Sequence, residues 1–178
     1  MKFLIASDIH GNAGSAERLA ARYKEENASR LILLGDILYH GPRNPVISGY
    51  DPLKTAEILN GLKDDILCVR GNCDAEIDRS LLEFPVTAEC VYLVVGGIFI
   101  FLTHGHDMRD APKLKNNDVL LAGHTHVPRL VDNGGHVEAN PGSVTYPKNG
   151  SERSYMTLED GAFTLKTLDG EEFGFLKI

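Results

Sequence analysis

The chain has 178 residues, of which 43% are hydrophobic and 24% are charged, values typical of one globular domain. Its 25 acidic residues outnumber its 18 basic residues, so the average field repels long nucleic acids, which are polyanions. Three cysteines are too few for a disulfide framework, which favours a reducing, cytoplasmic location. The apolar start is interrupted too early for a signal peptide, and no apolar run approaches the roughly 18 residues that predict a membrane span.

The first part of the chain alternates predicted strands and helices. Short apolar runs at residues 2–6, 30–34 and 66–69 predict buried strands. Apolar residues recur every three or four positions in residues 14–26, and Asp51 or Pro52 opens a second helix that runs to about residue 62. Three strands separated by two helices predict a parallel sheet with right-handed crossovers.

The rest of the chain is richer in predicted strands. Residues 89–95 and 98–103 predict an antiparallel hairpin across Gly96-Gly97, followed by a short helix at 111–115 and a strand at 119–122. Further short strands are predicted at residues 129–132, 136–139, 154–158, 162–168 and 173–178. We therefore expect one α/β domain over residues 1–178, a four-layer α/β/β/α sandwich of two mixed sheets flanked by helices.

Polar side chains follow five of the predicted strands at the point where each strand ends. These residues are Asp8, Asp36, Asn72, His104 and His124. Strand ends at one edge of a sheet converge on one crevice, so the five side chains are expected to be neighbours. Capping or turn formation is the alternative role of each residue. Five such residues at five strand ends favour a shared metal site, and these oxygen and nitrogen donors suit Mn, Fe, Zn or Mg.

Two more histidines join this candidate set. His10 lies two residues after Asp8, and His126 lies two residues after His124, where Gly123 is expected to give the backbone the freedom to turn. A structural zinc site is disfavoured because three scattered cysteines cannot form a four-thiolate cage.

The order of these motifs resembles the calcineurin-like metallophosphoesterase superfamily, over residues 1 to about 145. The motifs are Asp8-x-His10, Gly35-Asp36, Gly71-Asn72, His104 and Gly123-His124-Thr125-His126. The resemblance implies two divalent ions, one held by Asp8, His10 and His126 and the other by Asn72, His104 and His124. Asp36 would bridge the two ions. Mn²⁺ is the favoured metal, with Zn²⁺, Fe²⁺, Ni²⁺ and Mg²⁺ as alternatives.

One position departs from the wider superfamily, in which a histidine follows the Gly-Asn pair. This chain has Cys73 there, so an acid-donating histidine is missing. That departure, the short length and the segment from His40 to Asn44 resemble the YfcE-type bacterial phosphodiesterases, whose relatives include the non-catalytic scaffold subunit of retromer. Asp36, Asn72, Cys73 and His106 form the predicted catalytic set.

The resemblance implies hydrolysis of small phosphodiesters through a dinuclear centre and a bridging hydroxide. Two divalent ions, two aspartates and one hydroxide leave a charge of roughly +1, which matches a phosphodiester monoanion. The alternatives are a non-catalytic, retromer-type protein-binding scaffold and a phosphomonoesterase or nucleotide hydrolase of the same superfamily. We expect no membrane partner and no long nucleic acid, and the β-rich tail suggests a homo-oligomer, either a dimer or a tetramer.

Some residues have two interpretations that the sequence leaves open. Asn12 either caps the first helix or lines the site, and the cap is preferred. Arg43 either pairs with a nearby acid or contacts the phosphate, and His106 is either an exposed loop residue or a substrate contact. His136 is expected at the surface.

Overall fold

The computed structural model describes residues 1–109 and 111–178. Within them lie the α-helices α1 (Ala13–Glu25) and α2 (Pro52–Asn60), and short 3-10 helices at Lys63–Asp65 and Glu76–Ser80. The strands, in chain order, are β1 (Lys2–Ala6), β2 (Arg30–Leu33), β3 (Ile66–Cys68), β4 (Cys90–Val95), β5 (Ile98–Thr103), β6 (Val119–Ala122), β7 (Arg129–Asp132), β8 (Val137–Asn140), β9 (Ser154–Glu159), β10 (Ala162–Thr167) and β11 (Glu172–Lys177).

The strands form two mixed sheets. The six-stranded sheet has the order β11-β10-β9-β1-β2-β3, in which β1, β2 and β3 are parallel and the other pairs are antiparallel. The five-stranded sheet has the order β4-β5-β6-β8-β7, with β5, β6 and β8 parallel. The predicted parallel unit is confirmed, and so is the antiparallel β4-β5 hairpin across Gly96 and Gly97.

Alternation of side chains along β1 explains how the layers pack. Leu4 and Ala6 face one way and pack with Leu19 of α1 and Leu59 of α2 in one buried cluster. Their neighbours on the other face join a second cluster with residues of β5, β6 and β8, which fills the space between the sheets. The order of layers is therefore helices, six-stranded sheet and five-stranded sheet.

The outermost layer differs from the sequence-based expectation. The α/β class and the two mixed sheets are confirmed, but the predicted helix at residues 111–115 is wrong, because that segment has no helical structure. Five residues offer too few hydrogen bonds to offset helix nucleation, and Pro112 disfavours helical geometry at Ala111. In the described residues, no α-helix covers the outer face of the five-stranded sheet, where Tyr92 and Val94 are 55% and 67% exposed.

Local signals at the helix starts follow the sequence. The Asn12 side chain caps α1 by accepting a hydrogen bond from the Ser15 backbone N–H at 2.9 Å, which confirms the preferred interpretation. Asp51 caps α2, with Pro52 in the first turn. All three cysteines are free, in agreement with the absence of a disulfide framework. No helix among the described residues has the length and apolar character needed to cross a lipid bilayer.

Candidate metal centre

The loops after β1, β2, β3, β5 and β6 bring the five predicted strand-end residues together. Asp36 Oδ2 lies 3.4 Å from His104 Nε2. Asn72 Oδ1 and His124 Nδ1 lie 3.1 Å and 3.2 Å from the same His104 nitrogen. The His124 backbone N–H donates to Asp8 Oδ2 at 3.1 Å and so joins Asp8 to this group. Residues scattered over 116 positions of the chain thus share one crevice.

His10 and His126 lie on the far side of Asp8. Their Nε2 atoms are 3.3 Å apart and are 3.5 Å and 3.2 Å from Asp8 Oδ1. All three side chains are buried, with residue exposures of 1%, 3% and 0% for His10, His126 and Asp8. His10 Nε2 is also 3.7 Å from Asp36 Oδ2, so the Asp36 carboxylate lies between His10 and His104.

The backbone is in the left-handed region at five of these residues. Positive φ values occur at Asp8 (59°), His10 (52°), Asp36 (56°), His124 (65°) and His126 (61°). This conformation costs a non-glycine residue roughly 1–2 kcal/mol. Such residues persist where the surrounding structure fixes them, and they cluster at functional sites. The strained backbone conformations therefore occur at five of the seven residues that the sequence predicts as metal ligands.

The neighbouring glycines act differently from the sequence-based expectation. The two histidines turn the chain through their own positive φ values, whereas Gly123 does not adopt one. A Cβ at Gly123 would collide with the Ser7 hydroxyl, and a Cβ at Gly71 would collide with the Asp36 carboxylate. These glycines thus permit close approach of neighbouring segments rather than a turn.

Backbone carbonyls orient three of the imidazoles. His10 Nδ1 lies 2.8 Å from the Tyr39 carbonyl oxygen, His126 Nδ1 lies 2.7 Å from that of Tyr146, and His104 Nδ1 lies 2.6 Å from that of Leu34. Because a carbonyl oxygen only accepts, each Nδ1 carries the proton in the neutral ring. Each Nε2 lone pair then points into the crevice, which is the arrangement of metal-binding histidines.

Charges in the crevice are strongly coupled. Burial raises the pKa of Asp8, but the adjacent His10 and His126 imidazoles outweigh burial and hold this pKa far below its usual range. Burial lowers the pKa of His104, but the Asp36 carboxylate outweighs burial and raises this pKa to about 9. Burial and the neighbouring His104 lower the pKa of His124. The carboxylates therefore stay ionised, and the crevice favours positive charge.

One buried atom tests whether these residues suit a metal ion. Asp8 Oδ1 has no hydrogen-bond partner, although it is a fully buried carboxylate oxygen. Leaving such an atom unpaired is costly unless a cation faces it. Ligand atoms of Asp8, His10 and His126 lie within 4.8 Å of one another, as do those of Asp8, Asp36 and His104. The donor set fits divalent metal ions.

Sequence reasoning gave no role to Asp74, which holds two of these loops together. Its carboxylate accepts hydrogen bonds from the backbone N–H groups of Asp36 (2.8 Å), Ile37 (2.7 Å) and Gly71 (2.7 Å). Asp74 is 4% exposed, and burial raises its pKa. The sequence feature that could have pointed to Asp74 is its position two residues after Asn72, within the same motif. This side chain fixes the loops that carry Asp36 and Asn72.

The loop before β9 supports the first motif in a similar way. Ser143 Oγ donates to the Asp8 carbonyl oxygen at 2.9 Å, and Thr145 Oγ1 donates to that of Ile9 at 2.7 Å. Both residues are buried, and neither was a candidate from the sequence. The pairing of β9 with β1 helps to bring this loop to the site, and such a contact between distant segments leaves no local sequence pattern.

A cleft of about 420 Å³ opens above the candidate ligands. Cys73 lines it, and burial together with the Asp36 carboxylate raises the pKa of the thiol to about 12, so the thiol stays protonated. His106 does not line it: the residue is exposed, and its ring centroid lies 5.4 Å from that of His104. Arg43 and Lys148 also line the cleft, and sequence reasoning missed the lysine.

Comparisons with known proteins agree with this geometry. A model of the calcineurin-like phosphoesterase superfamily domain matches residues 1–160. Phosphodiesterase YfcE of Escherichia coli (strain K12) is 42% identical over 173 residues, which cover 96% of this chain and 94% of that protein. Probable metallophosphoesterase YsnB of Bacillus subtilis (strain 168) is 28% identical over 180 residues, covering 95% of this chain and 91% of that protein.

Solved structures agree as well. The structure of YfcE, described as a phosphoesterase from E. coli, superposes with a TM-score of 0.95 at 41% identity and covers both chains completely. Zinc-bound Vps29 from Entamoeba histolytica has a TM-score of 0.64 at 23% identity, covering 99% of this chain and 98% of that one. The second likeness concerns the fold alone.

Proposed function

The chain belongs to the calcineurin-like phosphoesterase superfamily, and from that premise we propose that it is a metal-dependent phosphodiesterase acting on small phosphodiesters at a dinuclear centre. The observation that carries the proposal is the buried, unpartnered Asp8 Oδ1, which lies among imidazole nitrogens whose lone pairs face it. An apolar or purely structural crevice would have no reason to bury such an atom. The 42% identity to YfcE supports hydrolysis of phosphodiesters in particular.

The residues divide into two ligand groups that share one carboxylate. Asp8, His10 and His126 would hold one ion, and Asn72, His104 and His124 would hold the other. Asp36 would serve both, since its Oδ2 is 3.7 Å from His10 Nε2 and 3.4 Å from His104 Nε2. We propose Mn²⁺ as the metal, with Zn²⁺, Fe²⁺, Ni²⁺ and Mg²⁺ as alternatives that this mixed oxygen and nitrogen donor set also accepts.

The chain's own residues supply positioning and charge. When bound, the two ions stabilise negative charge on the phosphate and make water a usable nucleophile near neutral pH. Asp74 holds the Asp36 and Gly71 backbones, and the Cys73 N–H donates to Asp36 Oδ1 at 2.8 Å, so the shared carboxylate cannot rotate freely. Fixing the reacting groups in this way lowers the entropic part of the barrier.

Cys73 bears on the kind of ester that is cleaved. A thiol with a pKa of about 12 is a weak hydrogen-bond donor and a poor acid toward a leaving alkoxide. Without a stronger acid at this position, esters with good leaving groups should react faster than those with basic ones. Two divalent ions, two aspartates and one hydroxide would leave a charge of roughly +1, which suits a substrate that carries one negative charge, as a phosphodiester does.

Turnover of a chromogenic diester by metal-stripped protein tests the proposal. Mn²⁺, Zn²⁺, Mg²⁺ and Ni²⁺ are restored in turn, and hydrolysis of bis(p-nitrophenyl) phosphate is compared with that of p-nitrophenyl phosphate. We expect at least one metal to restore turnover, with the diester preferred. Protein alone and metal alone are the controls. Absence of turnover with every metal would contradict the enzyme proposal.

A non-catalytic scaffold is the second candidate function. It is favoured by the exposed Tyr92 and Val94 on the outer face of the five-stranded sheet, a face that could contact another protein. A scaffold, however, has no chemical need for four imidazoles and two carboxylates arranged around an unpaired buried oxygen. Turnover in the experiment above favours the enzyme, whereas metal binding without turnover favours the scaffold.

A further inference from the structure

Two cationic side chains line the cleft above the candidate ligands. Arg43 lies in the loop after β2, and Lys148 lies in the loop before β9. Both residues are exposed at the cleft mouth. Among the lining residues that the structure describes, Asp36 is the one carboxylate. In a chain with a net charge of −7, this cleft is therefore locally basic. We call Arg43 and Lys148 the cationic rim.

Neither member of the cationic rim is neutralised by the described part of the chain. No carboxylate within residues 1–109 and 111–178 forms a salt bridge with either side chain. Some exposed cations elsewhere are paired, for example Arg129 with Glu138 at 2.5 Å and Lys54 with Glu57 at 2.9 Å. The described residues therefore offer Arg43 no acidic partner, which favours the interpretation that Arg43 contacts the phosphate-bearing ligand. Both charges face solvent and are available to an anionic ligand.

Hydrogen bonds tie the loops of the cationic rim to one half of the metal centre. His10 Nδ1 donates to the Tyr39 carbonyl, at the start of the Arg43 loop, and the Lys148 N–H donates to the His126 carbonyl at 3.1 Å. The Tyr146 hydroxyl donates to the Pro45 carbonyl at 2.8 Å and joins the two loops. The backbones that carry the two cations are therefore bonded to the His10 and His126 side of the centre and to each other.

The side of the centre beyond His124, outside the cleft lining, carries a different charge pattern. His106 lies beside His124, with ring centroids 6.1 Å apart, and the next residue is Asp107. The Asp107 carboxylate is paired with Arg109, with Nη2 and Oδ2 2.5 Å apart. Any positive charge added by Arg109 is thus offset by Asp107 on this side. Among the described residues that line the cleft, Arg43 and Lys148 are the Lys and Arg side chains, and both belong to loops bonded to His10 or His126.

We propose that the cationic rim binds a second anionic group on the substrate, carried by one ester arm of the phosphodiester. This inference rests on the proposed function. The metal centre balances the single charge of a diester, whereas Arg43 and Lys148 add two positive charges that a neutral ester arm would leave unmatched. Preferred substrates are therefore small phosphodiesters in which one arm bears a carboxylate or a second phosphate group. Exposed charge pairs are individually weak, so the rim selects among diesters rather than making binding possible.

Three matched chromogenic diesters test the inference. Each has a p-nitrophenyl leaving group, and the other arm is carbamoylethyl, carboxyethyl or phosphonoethyl. The first two arms have nearly the same shape and differ by one charge. For the wild-type protein loaded with the metal that restores turnover, we expect kcat/KM to be about fivefold higher for the carboxyethyl ester, with most of the difference in KM. A larger preference for the phosphonoethyl ester would identify phosphate rather than carboxylate as the second group.

Variants assign the preference to the rim. Arg43→Gln and Lys148→Gln together should reduce the carboxyethyl-to-carbamoylethyl ratio to about one, and Lys148→Glu should invert it. Lys113→Gln removes an exposed charge outside the cleft and should leave the ratio unchanged. Raising the salt concentration should weaken the wild-type preference, since exposed charges are screened. Thermal unfolding of each variant shows whether it remains folded.

A readout without turnover accompanies the kinetics. Metal-free protein is titrated with phosphonopropionate or with its neutral-tailed analogue propylphosphonate, and backbone amide shifts are followed. Larger shifts at Gly41, Arg43, Asn44, Lys148 and Asn149 with phosphonopropionate, lost in the double variant, support the inference. Equal kcat/KM values for the charged and neutral esters in the wild type would overturn it, while turnover of both esters would leave the phosphodiesterase proposal standing.

Discussion

The two halves of the candidate metal centre differ in their exposure to solvent. In the buried half (Asp8, His10 and His126), no side chain is more than 4% exposed. In the open half (Asn72, His104 and His124), His104 is fully buried, Asn72 is exposed and His124 is half-buried. The buried half keeps its unpaired carboxylate oxygen away from water, which makes a cation the natural partner. The open half leaves room at the cleft for a substrate phosphate to approach the second ion.

The largest expected effect comes from removing the carboxylate between the halves. Asp36→Asn replaces the shared anionic ligand by a neutral amide and should lower kcat by about a thousandfold, on the scale of losing a preorganised electrostatic group. Asp160→Asn is the matched control, because Asp160 is an exposed aspartate that also has a positive φ, 49° against 56°. Initial rates on bis(p-nitrophenyl) phosphate decide the point. Comparable rates for Asp36→Asn and Asp160→Asn would disprove the bridging role.

A smaller effect is expected from supplying the missing acid at the cleft wall. Cys73→His adds a side chain that can protonate a leaving alkoxide and should raise the monoester-to-diester rate ratio at least tenfold, within the range of general acid catalysis. Cys73→Ser removes the thiol without adding such a donor and should leave the ratio nearly unchanged. p-Nitrophenyl phosphate, glycerol phosphate and bis(p-nitrophenyl) phosphate serve as substrates. An identical ratio in wild type and Cys73→His would remove the proposed role of Cys73.

A modest effect on stability and rate is expected at Asp74, which joins the loops that carry Asp36 and Asn72. Asp74→Asn turns an NH₂ group toward backbone N–H donors and should destabilise the protein by about 1–3 kcal/mol, because buried donors lose their acceptor. Since the Asp36 loop then shifts, kcat should fall more than KM changes. Asp78→Asn is the control, since the Asp78 carboxylate accepts one exposed bond, from the Ala75 N–H. Urea unfolding and steady-state kinetics measure both effects. An Asp74→Asn protein as stable as Asp78→Asn would contradict the positioning role.

The smallest expected effect lies outside both halves. Burial raises the pKa of Glu26, but hydrogen bonds from Lys2, Lys166 and Tyr155 outweigh burial and lower this pKa to about 2. A depressed carboxyl pKa stabilises the fold above the unfolded value of 4.5, and this stabilisation is lost as the pH falls toward 2. Glu26→Gln should thus cost about 1–2 kcal/mol at neutral pH, about half as much near pH 3, and almost nothing below pH 2. Phosphodiester hydrolysis should not change.

Unfolding curves across this pH range measure the Glu26 effect. Glu57→Gln, which breaks the exposed pair with Lys54, should cost less than about 0.5 kcal/mol and serves as the reference. A pH-independent cost of Glu26→Gln would mean that packing, rather than charge, accounts for it.

Much of the fold and most of the crevice could be predicted because their signals are local. Apolar runs predicted β1, β2 and β3, and the Gly96-Gly97 turn predicted the β4-β5 hairpin. The positions at the strand ends predicted which polar residues converge. The predicted helix at 111–115 was wrong, because five residues are too few to offset nucleation and Pro112 disfavours helical geometry before it.

The rest of the site depends on contacts between distant segments. Lys148 reaches the cleft through a loop fixed by the Tyr146 hydroxyl and the pairing of β9 with β1, and no periodicity records such an arrangement. Asp74 acts through backbone groups of a neighbouring loop, which a sequence pattern does not reveal. His106 was predicted to contact the substrate, but its side chain does not line the cleft. Its catalytic role stays a prediction.

Metal stoichiometry tests the central claim most directly. Metal-stripped protein is titrated with Mn²⁺ by calorimetry, and bound metal is counted by elemental analysis after gel filtration, with diester hydrolysis followed at each step. The proposed centre predicts two ions per chain, with turnover rising as the second site fills. Saturation at one ion, or full turnover before a second ion binds, would contradict a dinuclear centre.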